Sequence, residues 1–162
     1  MMARYCASLL IILMLAACGF RLQGTAELPQ QMQLTWIAWP AESSAGLRRG
    51  LPRSLEAAGV EIVESPTQAS AILNIVENRF GERVLSVSAN NVPEELEVYH
   101  SVTFELRAGE TTIFPRETIT LTRDYTFDET AVLAKYREGE VIADALVADI
   151  VQQIRRRLAV LD

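Results

Sequence analysis

Residues that carry most enzymatic and metal chemistry are scarce in this chain. Of its 162 residues only one is a histidine, His100, and only two are cysteines, Cys6 and Cys18. Their spacing is not that of a zinc site, and the sequence has no glycine-rich loop of the phosphate-binding type. His100 falls among apolar residues of a predicted strand, which is typical of a packed histidine rather than a general base. We therefore expect no enzyme activity, no catalytic residue, no metal and no cofactor.

Positive charge is also in short supply. The chain has 15 Lys and Arg residues against 21 Asp and Glu residues, and its net charge is −6. Nucleic-acid binding depends on neutralising many phosphates with Lys and Arg, so we expect no nucleic-acid partner. Arg155, Arg156 and Arg157 cluster near the end of the sequence. We interpret them as the end of a helix, where cations oppose the negative pole of the helix dipole.

Long apolar runs are missing except for one near the start. The uncharged stretch 7–17 follows Arg4 and has the length of a signal-peptide core, which is too short to span a bilayer. It ends in Leu15-Ala16-Ala17-Cys18, the pattern of a bacterial lipoprotein processing site. We predict a signal peptide over 1–17, with diacylglyceryl and N-acyl groups on Cys18. The alternative is an ordinary secretory signal, or a short buried helix with an incidental cysteine.

Lipidation of Cys18 would also exclude a disulfide and anchor the mature chain to a membrane. Cys6 leaves with the signal peptide and the Cys18 thiol carries lipid, so no disulfide is expected. Several acyl chains on one cysteine make a stable membrane anchor, whereas a single chain is marginal. Gly19 stands where some bacteria read an acidic residue as a signal for inner-membrane retention, which favours the outer membrane. We expect a lipidated tether over 18–33 and one domain over 34–162.

Hydrophobic periodicity in the first half of that domain predicts alternating strands and a helix. Leu47, Leu51 and Leu55 recur at helical spacing after a capping Ser43 or Ser44, and Gly59 is suited to end that helix. Gly50 and Pro52 should kink it or begin a second turn. The predicted strands are Leu34–Trp39, Val60–Val63 and Ala71–Phe80.

The second half contains a clear hairpin and a long helix. Alternation from Val98 to Leu106, a turn at Ala108-Gly109-Glu110 and a return from Ile113 to Tyr125 predict two antiparallel strands. Glu117 and Arg123 interrupt the apolar register of the return strand. Asp128 can cap the next segment. Helical spacing then continues to the end of the chain, and whether Gly139 interrupts that helix is open. The apolar stripe comprises Ile142, Leu146, Ile150, Ile154, Leu158 and Leu161.

Several of these segments, in this order, resemble the LptE family of lipopolysaccharide-assembly lipoproteins. The resemblance spans most of the mature chain. The segments that carry it are Cys18-Gly19-Phe20-Arg21-Leu22, Leu55 to Val60, Gly109, Phe114-Pro115, Arg123-Asp124-Tyr125-Thr126-Phe127-Asp128, Val132-Leu133-Ala134-Lys135 and Gln153-Ile154-Arg155-Arg156-Arg157-Leu158.

The resemblance implies an α+β fold, in which a mixed or antiparallel sheet of about four to five strands is covered on one face by two helices. It implies an outer-membrane lipoprotein that plugs the lumen of the LptD β-barrel and helps to insert lipopolysaccharide into the outer leaflet. Lys135 matches a basic family position linked with lipopolysaccharide binding. A second basic position falls near Ala89-Asn90-Asn91, which lacks arginine, and Arg79 and Arg83 are the candidates to replace it.

Two alternatives remain open from the sequence. Lys135 is equally well read as a solvated helix lysine. The whole chain is also compatible with a generic outer-membrane lipoprotein that binds another periplasmic envelope component.

Overall fold

The computed structural model describes residues 28–160. The predicted signal peptide, Cys18 and the first part of the predicted tether lie outside this range, and so does Leu161 of the predicted apolar stripe. Within it, no helix is long and apolar enough to cross a membrane. The elements are β1 (Leu34–Ala38), α1 (Ala45–Glu56), β2 (Glu61–Ile62), β3 (Ala71–Val87), β4 (Pro93–Ala108), β5 (Thr111–Thr126) and α2 (Val132–Leu158), with short 3-10 turns at Gln30–Met32 and Glu129–Ala131.

The strands form one mixed sheet in the order β2-β1-β3-β4-β5. Strand β1 is parallel to both of its neighbours, and the three long strands are antiparallel. Both helices pack on one face of the sheet, where the main core cluster lies. The predicted α+β fold with a long C-terminal helix is therefore confirmed.

Strand β3 is much longer than its sequence pattern indicates. We predicted Ala71–Phe80, and the strand continues to Val87. Its second half contains Gly81 and three charged residues, so it has no apolar alternation that a pattern search would recognise. Pairing with β4 holds it extended, with Phe80 opposite His100 and Val84 opposite Leu96.

The helix α1 begins and ends where its sequence predicts. The Ser44 hydroxyl accepts a hydrogen bond from the backbone N–H of Leu47 at 3.3 Å, and Gly59 adopts a positive φ of 90° just beyond the helix. Leu47, Leu51 and Leu55 are fully buried. The helix continues through Pro52 as one element, so no separate second helix begins there.

The helix α2 is not interrupted at Gly139. It runs without interruption over 27 residues, about 40 Å at the usual rise per residue. Asp128 precedes it, and its carboxylate accepts hydrogen bonds from the backbone and hydroxyl of Thr130. Arg155, Arg156 and Arg157 form its last turn, as predicted.

Ion pairs between β5 and α2 explain the interrupted apolar register of the return strand. Arg123 donates to Asp149 at 3.0 Å, and Glu117 pairs with Arg157. Strand β5 lies at the edge of the sheet, so its side chains on the helix-covered face reach the polar flank of α2 instead of the core.

The sheet divides into two regions with different support. We call the residues 79–87, 93–101 and 120–126 the arm; the first half of α2 covers it, and the rest of the domain is the base. The base contains α1, the second half of α2 and strand β1, which pairs only with Ala71–Asn74 of β3. Its core includes Phe104, which stacks on Phe114 with 5.3 Å between ring centroids. The arm extends beyond β1 and α1 as a three-stranded antiparallel sheet.

Candidate functional site

The sheet face opposite the helices is polar and rich in hydroxyl groups. Ser101 and Thr103 alternate with the buried Val102 and Phe104, so they point away from the helices. Side-chain hydrogen bonds join Ser101 to Thr120 at 2.9 Å and Thr103 to Thr118 at 2.8 Å. This face offers a surface of hydrogen-bonding groups in register between β4 and β5, as the alternation in the sequence indicated.

A charged cluster continues this face toward the base. Asn74 donates to one oxygen of the Glu105 carboxylate at 3.0 Å, and Arg116 donates to the other at 3.2 Å. The hydrogen bond from Asn74, helped by the bond and the charge from Arg116, lowers the pKa of Glu105. The carboxylate therefore stays ionised at neutral pH and adds to the polar character of the surface.

The two predicted lipopolysaccharide candidates of β3 lie on the same polar face. Arg79 forms an ion pair with Glu77 at 2.6 Å, and Nε of Arg83 lies 2.5 Å from Oε1 of Glu97 without hydrogen-bond geometry. The side chains of Arg79 and Arg83 are nevertheless 70% and 62% exposed, whereas that of Glu97 is only 10% exposed. Both guanidinium groups therefore remain available to an anion.

The third candidate, Lys135, lies on the other side of the sheet. It occupies the N-terminal part of α2, on the same helical stripe as Gly139, which approaches Tyr125. The Lys135 side chain is 21% exposed, and its Nζ donates to Glu138 at 2.8 Å. Asp128 is also near: hydrogen bonds from Thr130 are the main cause of its lowered pKa, and Lys135 contributes. Lys135 is thus a partly covered lysine rather than a fully solvated one.

The structure therefore does not bring the three candidates into one pocket. Side chains of consecutive strand residues point to opposite faces. Glu82 precedes Arg83 and lies beneath α2, so Arg83 and Arg79 point to the face away from the helix. Arg79 and Arg83 belong to the polar face and Lys135 belongs to the helix-covered face.

Two adjacent cavities between the arm and the first half of α2 were not anticipated from the sequence. One, of about 220 Å³, is bounded by Val84, Leu96, Phe127 and Tyr136, and also by Arg83. The other, of about 210 Å³, is bounded by residues of β3, β4 and α2 that include Phe80, Val98, Gly139 and Ala143. No pattern in the sequence signals them, because they arise where a helix passes over a sheet without close packing.

Tyr125 separates these two cavities. Its hydroxyl donates a hydrogen bond to the Glu82 carboxylate, and both residues line both cavities. Burial, together with this hydrogen bond and the Glu82 charge, raises the pKa of the Tyr125 phenol well above its usual value. The phenol is therefore a neutral donor, and the Tyr125–Glu82 bond is a polar bridge between two cavities whose lining also includes Arg83 and Glu140.

His100 has the packed role that its sequence context predicted. It is fully buried, its Nε2 lies 2.5 Å from Oδ1 of Asn78, and the Phe80 ring meets it edge to face at 5.7 Å. Burial lowers the pKa of His100, which keeps the imidazole neutral at pH 7. Among residues 28–160, no group of three or more His, Cys, Asp or Glu side chains is arranged to hold a metal ion.

A further cavity lies at the far end of the base. It measures about 450 Å³ and is lined by Phe114, Gln153, Arg156, Arg157 and Val160. Arg157 already pairs with Glu117 there. The terminal arginines thus combine the expected helix end with the border of an open, partly apolar depression.

The chain is similar to known proteins along most of its length. A sequence model of the family LptE, described as lipopolysaccharide-assembly, matches residues 37–158. The LPS-assembly lipoprotein LptE of Yersinia enterocolitica is 26% identical over 152 residues, covering 93% of this chain and 72% of its own. The LPS-assembly lipoprotein LptE of Pectobacterium atrosepticum is 25% identical over 150 residues, covering 92% and 80%.

Solved structures show the same fold. The solution structure of lipoprotein B from Nitrosomonas europaea aligns with a TM-score of 0.73 at 28% identity, covering 87% of this chain and 90% of that one. The crystal structure of the rare lipoprotein B from Shewanella oneidensis aligns with a TM-score of 0.66 at 21% identity, covering 78% and 93%.

Proposed function

Because this chain belongs to the LptE family of lipopolysaccharide-assembly lipoproteins, which are not enzymes, we propose that it plugs and supports an LptD-type β-barrel in the outer membrane. In that position it helps to insert lipopolysaccharide into the outer leaflet. The proposal goes beyond family membership in three respects: the barrel, the lipid anchor and the residues that contact lipopolysaccharide.

The observation that supports the plug is the polar face of the sheet. The lumen of a large membrane barrel is lined by polar side chains, so a plug needs a surface that exchanges hydrogen bonds with such a wall. The Ser101–Thr120 and Thr103–Thr118 pairs and the Asn74–Glu105–Arg116 cluster form such a surface. A helix-packed base behind it keeps the surface in shape.

The plug is tested by recovering the tagged full-length protein from detergent-solubilised outer membranes of its source. We expect a large β-barrel protein at equal stoichiometry, identified by mass spectrometry. A variant that replaces Thr118 and Thr120 by lysine should reduce the recovery, because both positions are exposed on the polar face that would contact the lumen wall, and circular dichroism checks that the variant is folded. Recovery of the lipoprotein without a barrel, under conditions that keep other barrel complexes intact, would refute the plug.

The anchor is proposed at Cys18. Its support is the sequence Leu15-Ala16-Ala17-Cys18 behind an apolar run, together with a domain that begins close to that point, since Leu28 and Met32 already pack in the core. Mass spectrometry of the mature N-terminus should find an acylated Cys18 and no residues 1–17. Replacement of Cys18 by alanine should leave the signal peptide uncleaved at this site, and an unmodified cysteine in the wild type would contradict the anchor.

For lipopolysaccharide we propose two separate contacts, Lys135 on one side of the sheet and Arg79 with Arg83 on the other. Headgroup phosphates are natural partners for these cations. Their present ion pairs do not prevent this, because exposed pairs contribute only about 0–1 kcal/mol each and a phosphate can displace Glu77 or Glu138.

The contacts are tested by lipopolysaccharide binding at matched ionic strength. We expect Lys135→Ala to weaken binding, whereas Arg137→Ala, which removes an exposed cation two residues away, serves as the matched control. A combined Arg79→Ala and Arg83→Ala variant should weaken binding independently of Lys135→Ala. If the dissociation constant of Lys135→Ala equals that of wild type, Lys135 is a structural residue and not a ligand contact.

A further inference from the structure

The second half of β3 has an open edge. Strand β1 pairs with β3 only as far as Asn74, and from Ile75 to Val87 the described part of the chain pairs with β3 on one side only, through β4. Backbone N–H and C=O groups on the other side of this segment have no strand partner among residues 28–160. An edge of this kind is a template for one more strand.

The other edge of the sheet shows how an edge is normally protected. Strand β5 contains Pro115, which cannot donate a backbone hydrogen bond, and none of its large apolar side chains is strongly exposed. The open edge of β3 pairs with β4 in regular register from Glu77 to Val84, and its register shifts only on either side of that stretch. It carries Phe80, Val84, Leu85 and Val87, each 45–50% exposed, and no proline. The edge of β5 is therefore protected against pairing with another strand, whereas the edge of β3 exposes apolar side chains and contains no proline.

The two cavities beneath α2 lie along this same edge. Phe80 borders one and Val84 borders the other, and both side chains lie on the helix-covered face with Glu82 between them. A strand added to β3 would direct every second side chain toward this face. Apolar side chains at alternate positions would reach the cavities on either side of the Tyr125–Glu82 bridge.

The other side chains of such a strand would face the polar side of the sheet, where the charge of β3 favours acidic residues. Arg79 and Arg83 flank Gly81 there, and each is the more exposed member of its ion pair. Acidic side chains on the added strand would face these guanidinium groups. A second copy of this chain that paired antiparallel about Gly81 would instead place Arg79 opposite Arg83, which is a like-charge contact.

We propose that the edge of β3 from Arg79 to Leu85 is a strand-addition site for an extended segment of a partner protein. The segment carries apolar residues at alternate positions, which enter the two cavities, and acidic residues between them, which face Arg79 and Arg83. Main-chain hydrogen bonds supply affinity and the cavities supply specificity, as in other recognition by strand addition. The site does not depend on the barrel function and is tested without a barrel.

The probe is a labelled synthetic peptide of about eight residues, a usual strand length, in which valine and glutamate alternate. Its control has the same composition with the valines and glutamates in two blocks. Binding to the full chain is measured by fluorescence anisotropy. Val84→Lys places a charge at the edge, and Val141→Lys, at a more exposed valine on α2 that lines neither cavity, is the control. Circular dichroism checks that both variants are folded.

We expect the alternating peptide to bind at least about tenfold more tightly than the block peptide, and Val84→Lys to weaken it by a similar factor, as for the loss of one anchoring contact. Val141→Lys should bind like wild type. Hydrogen exchange should show new protection of backbone amides between Arg79 and Leu85, and none along β5.

Four results would overturn the proposal. The first is an equal dissociation constant for the alternating and the block peptide, or for wild type and Val84→Lys. The second is no saturable binding below about 1 mM. The third is a dimer in sedimentation that Val84→Lys dissociates, which would make a second copy the occupant. The fourth is loss of lipopolysaccharide binding in Val84→Lys with the peptide unaffected, which would assign the cavities to acyl chains. None of these results bears on whether a barrel is recovered.

Discussion

The base and the arm share three strands, yet they are stabilised in different ways. In the base, α1, α2 and the sheet enclose apolar side chains such as Leu51, Phe104 and Ile154 that are fully buried. In the arm, most support comes from strand pairing, hydroxyl and ion pairs and a loosely covering helix, and large apolar groups remain exposed. The base is therefore the stable, well-packed part of the domain, and the arm presents the exposed apolar surface that is typical of a binding site.

The largest expected effect separates two phenylalanines, one in each region. Phe104→Ala removes a fully buried ring stacked on Phe114 and should lower the free energy of unfolding by about 3–5 kcal/mol. Phe80→Ala in the arm removes a half-exposed ring and should cost much less. Chemical denaturation of both variants measures the difference. Equal losses would mean that the arm is as tightly packed as the base.

An intermediate effect concerns His100, the fully buried polar residue beside the Phe80 ring. Its folded-state pKa lies below the unfolded value of 6.5, so the unfolded chain binds the proton more readily. Stability is complete above pH 6.5 and falls as the pH drops below it, by at most about 1.4 kcal/mol per pH unit for one proton. His100→Gln should flatten the unfolding free energy between pH 7.5 and pH 5.5. An unchanged slope would show that the imidazole is protonated in the fold without penalty.

The smallest expected effect concerns the ion pair that joins β5 of the arm to α2. Arg123 and Asp149 are each about half exposed, so their coupling energy should be about 0.2–1 kcal/mol. A double-mutant cycle of Arg123→Ala and Asp149→Ala measures it, and high salt should reduce it further. A coupling above this range would show that charge pairs, rather than strand pairing, hold the arm under the helix.

Much of the fold was predictable because its signals are local. The hairpin of β4 and β5, the α1 cap at Ser44, the stop at Gly59 and the long α2 follow from the spacing of neighbouring residues. The predicted role of His100 as a packed residue follows from the same alternation. Contacts between distant segments were not predictable in this way, and the extension of β3 to Val87 is the clearest case.

The candidate site shows the same limit. The sequence proposed Lys135, Arg79 and Arg83 as one set of cations, since a family resemblance orders residues along the chain and not in space. The structure separates them by the thickness of the sheet, because α2 covers one face and alternation on β3 sends the arginines to the other. The Tyr125–Glu82 bridge and its two cavities depend on the path of α2 over the arm, which no local pattern encodes.

By itself the amino-acid sequence determined the class of this protein: an α+β domain of the LptE family, without the side chains for catalysis, behind a predicted lipoprotein signal. Short-range periodicity is sufficient for the α+β class, because it reflects which residues face a core and which face water, whereas the family follows from the resemblance of several segments in their order along the chain. Only the tertiary structure decided which surfaces are available. The open edge of β3, the polar face of the sheet and the separation of the cations arise from pairing between residues far apart in the chain, where β1 ends after a few residues and β3 continues without it.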